Sequence, residues 1–345
     1  MKKNKLIIIL LISLLILSCK SADSLNKKDN FNIQKLKSKK LNIGATIGLV
    51  SPASLIKEKH LHESIRNLEA LGFKVKYNNE IKSKYGYLAG PDSLRAADLN
   101  QMFADDEIDA ICAVRGGYGC ARMLDLIDYE LIKNNPKIII GYSDITSLLY
   151  AIYKKTSLVC FHGPVGTSTF NEYSVEHLKN ILVTPKENYK MANLPEDRNN
   201  IVTINPGKAK GELIGGNLSI VVSMIGTEYD IDSKDKIIFL EDIGEEPYRI
   251  DRMLTQMKLA GKFDNCSGVA LGVFKNCEID KDDPEFEESL TLLKIFKDIF
   301  GDLEIPVVYG LSFGHIENKF TLPFGVEAKL DADKGSITLL EKAVR

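Results

Sequence analysis

The first half of the chain alternates short apolar runs with amphipathic stretches, and this pattern predicts its elements. Apolar runs predict strands at 43–50, 73–77, 108–114, 137–140 and 157–163. Between them, apolar residues recur every three to four positions, as in the helix predicted from Leu61 to Leu71, which Gly72 ends. Buried strands separated by helices indicate a parallel sheet covered on both faces, so this half is predicted to be an α/β domain.

Three loops that directly follow predicted strands carry polar residues and glycines. They read "SPAS" (51–54), "RGGYG" (115–119) and "GYSD" (141–144). In parallel sheets, ligands bind beyond the carboxyl ends of the strands. We therefore expect any functional site of this half to be built from these loops.

The second half of the chain has a different pattern. Residues 171–207 are polar with scattered prolines, and they predict a connection between two domains. Beyond them, "GELIGGNLSIVVSMIG" predicts a loop and a helix, "DKIIFLED" a strand ending in acids, and "VEAKLDADKGSITLLE" an antiparallel hairpin. We therefore predict an N-terminal α/β domain at 42–170 and a mixed α+β domain at 208–345.

The start of the chain has the features of an export signal. Three lysines among the first five residues precede an apolar run, Leu6 to Leu17, that is short for a membrane span. "ILSC" at its end resembles a bacterial lipobox, which implies that residues 1–18 are a signal peptide and that Cys19 is acylated. A plain signal peptide or an uncleaved anchor is the alternative. Residues 19–41 are polar and lysine-rich, and predict a flexible tether from a lipid anchor on the periplasmic side of a membrane.

The composition of the chain limits the classes of partner and cofactor that we expect the protein to bind. The chain has 345 residues, 44% hydrophobic and 27% charged, which is enough for two domains with cores of their own. A formal net charge of −2 gives no basic field, so we expect no nucleic-acid partner. No CxxC pair or Cys/His cluster indicates a metal site, and we expect no cofactor. The apolar surroundings of five cysteines predict that they are buried free thiols: Cys112, Cys120, Cys160, Cys266 and Cys277. The alternative is that one pair of them is oxidised to a disulfide.

Ser143 is a candidate nucleophile because it lies on the turn between a buried strand and a helix. A serine attacks a carbonyl when a base removes its proton and a rigid turn exposes it. The turn Gly-Tyr-Ser-Asp lacks the second glycine of the hydrolase G-x-S-x-G elbow. Taken alone, Ser143 is therefore better explained as a helix cap, and Asp144 as a charge that complements the helix dipole.

A catalytic serine also needs a base and an orienting acid. His162 in "CFHGPVG" and His315 in "LSFGHIENK" both follow predicted strands, with a hydrogen-bonded loop histidine as the alternative for each. The remaining histidines, His60, His62 and His177, lie in polar helical stretches and are expected to be solvated.

Two further features fit such a site. Glu241 and Asp242 end a buried strand, where an acid must be paired or must cap a loop or helix. The "RGGYG" loop can offer backbone N–H groups to an oxyanion, because adjacent glycines let a backbone approach a ligand closely. Its glycine spacing does not match the dinucleotide fingerprint G-x-G-x-x-G.

These motifs together resemble one known family. "RGGYG", "GYSDIT", "HGPV", "GELIGGNL", "FLEDIGEEPYRIDRML" and "LSFGH" occur in this order and at the separations found in the LD-carboxypeptidases, or muramoyltetrapeptide carboxypeptidases. The resemblance runs from about residue 42 to the C-terminus. It implies a flavodoxin-like N-terminal domain, a β-rich C-terminal domain, a site in the cleft between them and a homodimer.

The resemblance also implies the site residues. It places the nucleophile on Ser143, the acid on Glu241 and the base on His315, and assigns "HGPV" to the wall of the site. It implies an oxyanion hole formed by the backbone N–H groups of Gly117 and Asp144.

The implied reaction is serine acyl transfer without a metal, releasing D-Ala from the L-centre of the diamino acid in a peptidoglycan stem tetrapeptide. Arg115 and Arg249 are candidates to bind substrate carboxylates, with structural ion pairs as the alternative. Relatives that act in wall recycling are often cytoplasmic, so the export signal leaves open whether free muropeptide or intact wall is the substrate. Hydrolysis of a modified peptide or peptidyl-adenylate, as in self-immunity relatives, and a non-catalytic two-lobed binding protein are the alternatives.

Overall fold

The computed structural model describes residues 35–279 and 288–345, and two sheets dominate this part of the chain. The strands are, in chain order, β1 (Thr46–Val50), β2 (Lys74–Lys76), β3 (Ala110–Ala113), β4 (Ile138–Gly141), β5 (Phe161–His162), β6 (Tyr189–Ala192), β7 (Val202–Asn205), β8 (Lys208–Asn217), β9 (Lys236–Ile243), β10 (Gly268–Lys275), β11 (Val307–Gly314), β12 (Leu322–Pro323), β13 (Glu327–Asp331) and β14 (Ser336–Leu339). The helices are α1 (Glu58–Ala70), α2 (Asp92–Ala104), α3 (Tyr129–Asn134), α4 (Ile145–Thr156), α5 (Glu172–Leu182), α6 (Leu218–Met224), α7 (Pro247–Leu259) and α8 (Leu292–Phe300).

The first sheet has the order expected of a flavodoxin-like domain. Its parallel strands run β2-β1-β3-β4-β5, and β12 adds to β5 in the antiparallel direction. The topological switch point lies between β1 and β3, where ligands of such sheets bind. The four residues of β3 and the four of β4 are all buried, which explains their near-continuous apolar sequence.

Helices cover this sheet largely where the periodicity predicts them. Helix α1 buries Leu61 and Leu68 and ends before Gly72, and α2 begins directly after Pro91. The stretch "ARMLDLID" forms a 3₁₀ helix, Cys120–Leu126, rather than an α-helix. This short connection follows Gly119, whose φ of 134° is open mainly to glycine.

The second sheet is mixed, as expected for an α+β half. Strands β8, β9, β10 and β11 are parallel neighbours, and antiparallel strands extend both edges to give the order β6-β14-β13-β8-β9-β10-β11-β7. The predicted hairpin is confirmed as β13 and β14, which pair through Ala328 and Leu339. Both sheets belong to one compact unit that begins at Lys35.

Residues 171–207, predicted as a connection, instead contain α5 and two edge strands of the second sheet. Strand β6 pairs with β14, and β7 pairs with β11. Edge strands bury only alternate side chains, such as Met191 at 0% exposure, so their sequence looks polar overall. His177 of α5 is buried against Tyr173 and Phe320, so its predicted solvation is wrong.

The glycine-rich stretch "GELIGGN", predicted as a loop, is part of the ten-residue strand β8. A side chain at Gly215 would lie 1.8 Å from the carbonyl oxygen of Phe239, and one at Gly216 would lie 2.5 Å from Thr146. Gly215 therefore allows β8 to approach β9, and Gly216 allows it to approach α4, where the Asn217 N–H donates to the Thr146 hydroxyl at 3.2 Å. This close contact brings the carboxyl ends of the two sheets together.

The end of the predicted tether is part of the folded structure. Leu41 is buried, Leu36 forms a bridge with Leu158, and Lys35 contacts Glu212 and Glu341 at 2.9 and 2.8 Å. The tether prediction is therefore wrong for residues 35–41. Residues 1–34, with the proposed signal peptide and Cys19, lie outside the described part of the chain. Among the residues that are described, no helix has the length and apolar character to span a membrane.

Candidate active site

Three loops meet at the carboxyl ends of β1, β3 and β4, as predicted, and a buried arginine joins two of them. The Arg95 guanidinium donates to the carbonyl oxygens of Pro52 and, at 2.9 Å, of Gly119. The Ser54 hydroxyl accepts the N–H of Tyr118 at 3.0 Å. These bonds satisfy buried backbone groups and fix the "RGGYG" loop beside the "SPAS" loop.

Ser143 occupies the turn between β4 and α4 with a φ of 64°, a left-handed conformation that is strained for a residue with a side chain. A Cβ on Gly116 would lie 2.9 Å from the Ser143 Cβ and 3.1 Å from its Oγ. The serine is therefore held on a tight, strained turn against the backbone of the "RGGYG" loop. This is the geometry of a nucleophile elbow, with Gly116 supplying the close approach.

Two backbone N–H groups lie beside this serine. Gly117 has a φ of 126° and lines the same cavity, and the N–H of Asp144 follows Ser143 directly. Neither N–H group makes a hydrogen bond within the residues that the structure describes. The Asp144 carboxylate accepts the N–H of Cys120 at 2.8 Å, and burial raises the pKa of Asp144. Asp144 therefore fixes the turn with its side chain and leaves its N–H free for a ligand.

The second sheet contributes a paired acid and histidine. Glu241 lies near the carboxyl end of β9 with 0% exposure, and its Oε2 lies 2.7 Å from Nδ1 of His315, which follows β11. A Cβ on Gly314 would lie 2.9 Å from this oxygen, so only glycine fits there without displacing the pair. Burial raises the pKa of Glu241, and the hydrogen bond from His315 acts in the opposite direction.

One cavity of about 450 Å³ joins the residues from both sheets. It is lined by Ser143, His315, Gly117 and Arg115, so the structure brings most of the predicted site residues together. No hydrogen bond joins the Ser143 hydroxyl to the His315 ring in this structure. Such bonds are often long in the absence of substrate.

Two predicted candidates lie elsewhere. Arg249 is exposed on α7, where it pairs with Glu245 and Glu246 at 3.9 and 2.9 Å. It therefore forms structural ion pairs, which was the alternative to binding a substrate carboxylate. His162 is buried behind the site against Phe239, and burial lowers its pKa to about 3. A neutral, enclosed imidazole fits the wall of the site, as expected for "HGPV".

The sequence did not reveal several residues near the site. Lys59, His60 and Glu63 line the cavity from α1, because this helix begins beyond the "SPAS" loop. The polar helical sequence around these three residues does not indicate that they line a cavity. The position of their helix after the "SPAS" loop, next to the switch point between β1 and β3, is the feature that could have indicated it. Buried Lys319, in the loop after β11, and buried Arg95, on α2, were also missed.

The described residues contain no group of three or more His, Cys, Asp and Glu side chains placed to hold a metal. The cysteines expected to be buried free thiols are so in the structure: Cys112, Cys120, Cys160, Cys266 and Cys277. Burial raises the pKa of each, as for Cys112 to about 12, so these thiols are not poised as nucleophiles.

Comparison with known proteins gives consistent family matches. Residues 47–163 match the model of the LD-carboxypeptidase N-terminal domain, and residues 210–330 match that of the C-terminal domain. The chain is 40% identical over 308 residues to a probable murein peptide carboxypeptidase of Bacillus subtilis, covering 87% of this chain and 93% of that protein. It is 29% identical to the murein tetrapeptide carboxypeptidase of Pseudomonas aeruginosa, covering 85% and 95%.

Solved structures share the fold. The structure of MccF in complex with glutamyl sulfamoyl guanosine superposes with a TM-score of 0.81 at 27% identity, covering 90% of this chain and all of that one. The muramoyltetrapeptide carboxypeptidase from Oxalobacter formigenes gives a TM-score of 0.74 at 27% identity, covering 86% and 98%. With both halves matched and two sheets in the expected order, the chain belongs to the LD-carboxypeptidase family.

Proposed function

We propose that the protein is a serine-type LD-carboxypeptidase that removes the terminal D-Ala from peptidoglycan stem tetrapeptides. The observation that carries this proposal is the meeting of Ser143 and His315 in one cavity, with His315 held by the buried Glu241 at 2.7 Å. A binding protein has no need of a strained serine facing a paired histidine. The family match and the relatives named for murein peptides give the substrate class.

The proposed reaction proceeds through an acyl-enzyme. His315 takes the hydroxyl proton of Ser143 as its oxygen bonds to the carbonyl carbon between the diamino acid and D-Ala. The N–H groups of Gly117 and Asp144 stabilise the oxyanion, and Glu241 stabilises the imidazolium. His315 then gives its proton to the departing amine of D-Ala as the C–N bond breaks. Water, deprotonated by His315, attacks the ester and releases the tripeptide and the free serine.

The cavity also offers cations for the free carboxylate of the terminal D-Ala. Arg115 is one residue from Gly116, which contacts Ser143, and consecutive Cα atoms are about 3.8 Å apart. The N–H of Lys57 donates to Nδ1 of His60 at 3.3 Å, which leaves Nε2–H of His60 as a donor. Burial, followed by the charges of Arg115 and Lys59, lowers the pKa of His60. Because Arg115 is the cation adjacent to Gly116, Arg115→Gln should reduce the preference for a substrate with a free C-terminal carboxylate over one with a C-terminal amide.

The test of the activity is D-Ala release from purified tetrapeptide, followed by mass spectrometry. The wild type should release D-Ala, and Ser143→Ala should reduce the rate by at least about a thousandfold. Ser157→Ala is the matched control, because Ser157 also has a left-handed φ, 59°, outside the cavity. Unchanged release by Ser143→Ala would disprove the mechanism.

A second candidate is hydrolysis of a peptidyl-adenylate. It is favoured by the TM-score of 0.81 to the microcin C7 self-immunity protein MccF and by 29% sequence identity to that protein in Escherichia coli. Competition between tetrapeptide and an aminoacyl-adenylate analogue for the same enzyme separates the two functions. Turnover of the analogue with no D-Ala release would favour this candidate.

The anchor and the homodimer are separate parts of the proposal. "ILSC" at residues 16–19 supports acylation of Cys19 and attachment to a membrane on the periplasmic side. Cys19→Ser should move the protein from the membrane fraction to the soluble fraction of fractionated cells. The dimer is supported by the family resemblance, and sedimentation of the mature chain should give twice the monomer mass.

A further inference from the structure

Lys319 is a buried lysine behind the cavity. Its residue exposure is 4%, although lysines are almost never fully buried unless they are paired. The backbone around it is fixed to α5: the Lys319 N–H donates to the Ser174 hydroxyl at 3.0 Å, and that hydroxyl donates to the carbonyl of Glu317 at 2.7 Å. Asn171 and Asn318 add a side-chain bond at 2.7 Å. The lysine is therefore held in place by its own main chain.

The ammonium group of Lys319 lies over an aromatic ring of the site. Its Nζ is 5.0 Å from the ring centroid of Tyr142, within the range of a cation–π contact. None of the ion pairs within the described residues includes Lys319. The aromatic face of Tyr142 is thus the contact that the structure gives this charge.

The same tyrosine contacts the proposed catalytic base. The Tyr142 and His315 ring centroids are 4.8 Å apart in an edge-on arrangement of 67°. On its other side the imidazole is held by Glu241, whose Oε2 lies 2.7 Å from Nδ1. The second oxygen of Glu241 is buried without a hydrogen-bond partner in the described residues. A nearby positive charge offsets part of the cost of that unpaired oxygen.

From this chain of contacts we propose that Lys319 is a positioning residue for His315, holding the Tyr142 ring against the imidazole and placing a positive charge behind it. The inference rests on the proposed function only in taking His315 as the base. It assigns a role to a side chain beyond the serine, histidine, glutamate and backbone donors named above.

The groups that face Lys319 set the direction of its effect. Burial lowers the pKa of Lys319 to about 8, Glu241 and Glu317 oppose this, and Lys275 adds to it. The charge of Lys319 in turn contributes to lowering the pKa of His162. A positive charge disfavours a second positive charge nearby, so the effect of the Lys319 charge is tested by comparing the wild type with a variant that lacks the charge over a range of pH.

The test uses two variants and one matched control in the mature chain. Lys319→Met removes the charge, and Lys319→Arg keeps both the charge and the cation–π contact. Lys137→Met is the control, because Lys137 is likewise buried, at 8% exposure, but donates to the carbonyl of Asp105 away from the cavity. The readouts are the pH profile of kcat/KM for D-Ala release and the NMR titration of His315, identified with His315→Gln.

In Lys319→Met the midpoints of the acid limb and of the NMR titration should both lie at higher pH than in the wild type, and kcat should fall about tenfold. The wild-type rate should decline above about pH 8 as Lys319 loses its proton, and Lys319→Arg should lack that decline. Unchanged midpoints in Lys319→Met, or equal changes in Lys137→Met, would overturn the proposal. If Lys319→Met does not fold, an unaltered alkaline decline in Lys319→Arg overturns it.

These readouts separate the inference from the proposed function. Absence of D-Ala release by the wild type would contradict the proposed function, whereas the NMR titration reads the imidazole whatever peptide is cleaved. A shifted midpoint in Lys319→Met would still support the positioning role, and an unshifted one would still overturn it.

Discussion

Glu241 Oε2 and His315 Nδ1 lie 2.7 Å apart, although 74 residues separate them along the chain. The glutamate lies near the carboxyl end of β9 and the histidine follows β11, with β10 between these parallel strands. Their carboxyl ends meet at one edge of the sheet, and Gly314 leaves the space in which the pair forms. The sheet therefore delivers a preformed acid–histidine pair to the cavity that Ser143 enters from the other sheet.

Replacing the acid of this pair should leave the fold and remove most of the activity. Glu241→Gln keeps the volume but allows the wrong imidazole tautomer and no longer stabilises the imidazolium, so kcat should fall by about 10³ to 10⁴. Asp242→Asn is the control, because Asp242 accepts from Asn217 and Ser219 rather than from His315. Equal losses in the two variants, measured as D-Ala release, would contradict a specific role for Glu241.

The contact of Gly116 with Ser143 predicts a substitution that damages the site without replacing any of its polar side chains. A methyl group at Gly116 would lie 2.9 Å from the Ser143 Cβ, so Gly116→Ala must displace the serine. Small displacements of reacting groups are costly, and kcat should fall at least about a hundredfold. Gly226→Ala is the control for backbone strain away from the cavity, since Gly226 has a φ of 79° and nothing lies within 4 Å of its added methyl group. Comparable kcat values for both variants would show that the contact is unimportant.

The elements that depend on local pattern could be predicted from the sequence. The apolar strands β3 and β4 and the loops that follow them stand where periodicity placed them, because burial on both faces leaves a continuous apolar signature. The role of Ser143 could not be decided locally. A capped helix and a nucleophile elbow can have the same sequence, and the φ of 64° and the approach of Gly116 are visible only in the structure. The role of Ser143 as nucleophile stays a proposal.

The features that were missed depend on partners distant in the chain. The glycines of β8 were predicted to form a loop because the contact that requires a glycine, that of Gly216 with Thr146, involves helix α4 of the other half of the chain. His177 looked solvated because Phe320, which covers it, comes much later. The division into domains at 42–170 and 208–345, the anchor at Cys19 and the homodimer stay predictions.

Buried Arg95 predicts a variant that weakens both stability and activity. It donates to the carbonyl oxygens of Pro52, Gly90 and Gly119, so Arg95→Met leaves buried acceptors unpaired and should cost about 3 kcal/mol of unfolding free energy. Loosening of the loops should also lower kcat. Arg122→Met is the control, because Arg122 pairs with Asp92 at an exposed position and should leave stability nearly unchanged. Urea unfolding followed by circular dichroism measures both, and equal losses would contradict this role.

The ion pairs of Glu341 with Lys35 and Lys37 predict that the stability of the protein depends on pH. Burial alone would raise its pKa, but hydrogen bonds from Lys35 and Lys37 outweigh burial and lower the pKa to about 2, from an ordinary value of 4.5. Because the folded-state pKa lies below the unfolded one, these ion pairs stabilise fully above about pH 5. Their contribution is lost as the pH falls from about 4.5 towards 2.

Glu341→Gln should therefore lower the free energy of unfolding at pH 7 by about 1 kcal/mol, a figure reduced for screening because the side chain is 31% exposed. At pH 3 the difference between wild type and variant should shrink by more than half, since the unfolded carboxyl is then mostly protonated. Urea unfolding at both pH values measures this difference. A loss of the same size at pH 7 and pH 3 would mean that the ion pairs with Lys35 and Lys37 do not hold the start of the folded chain.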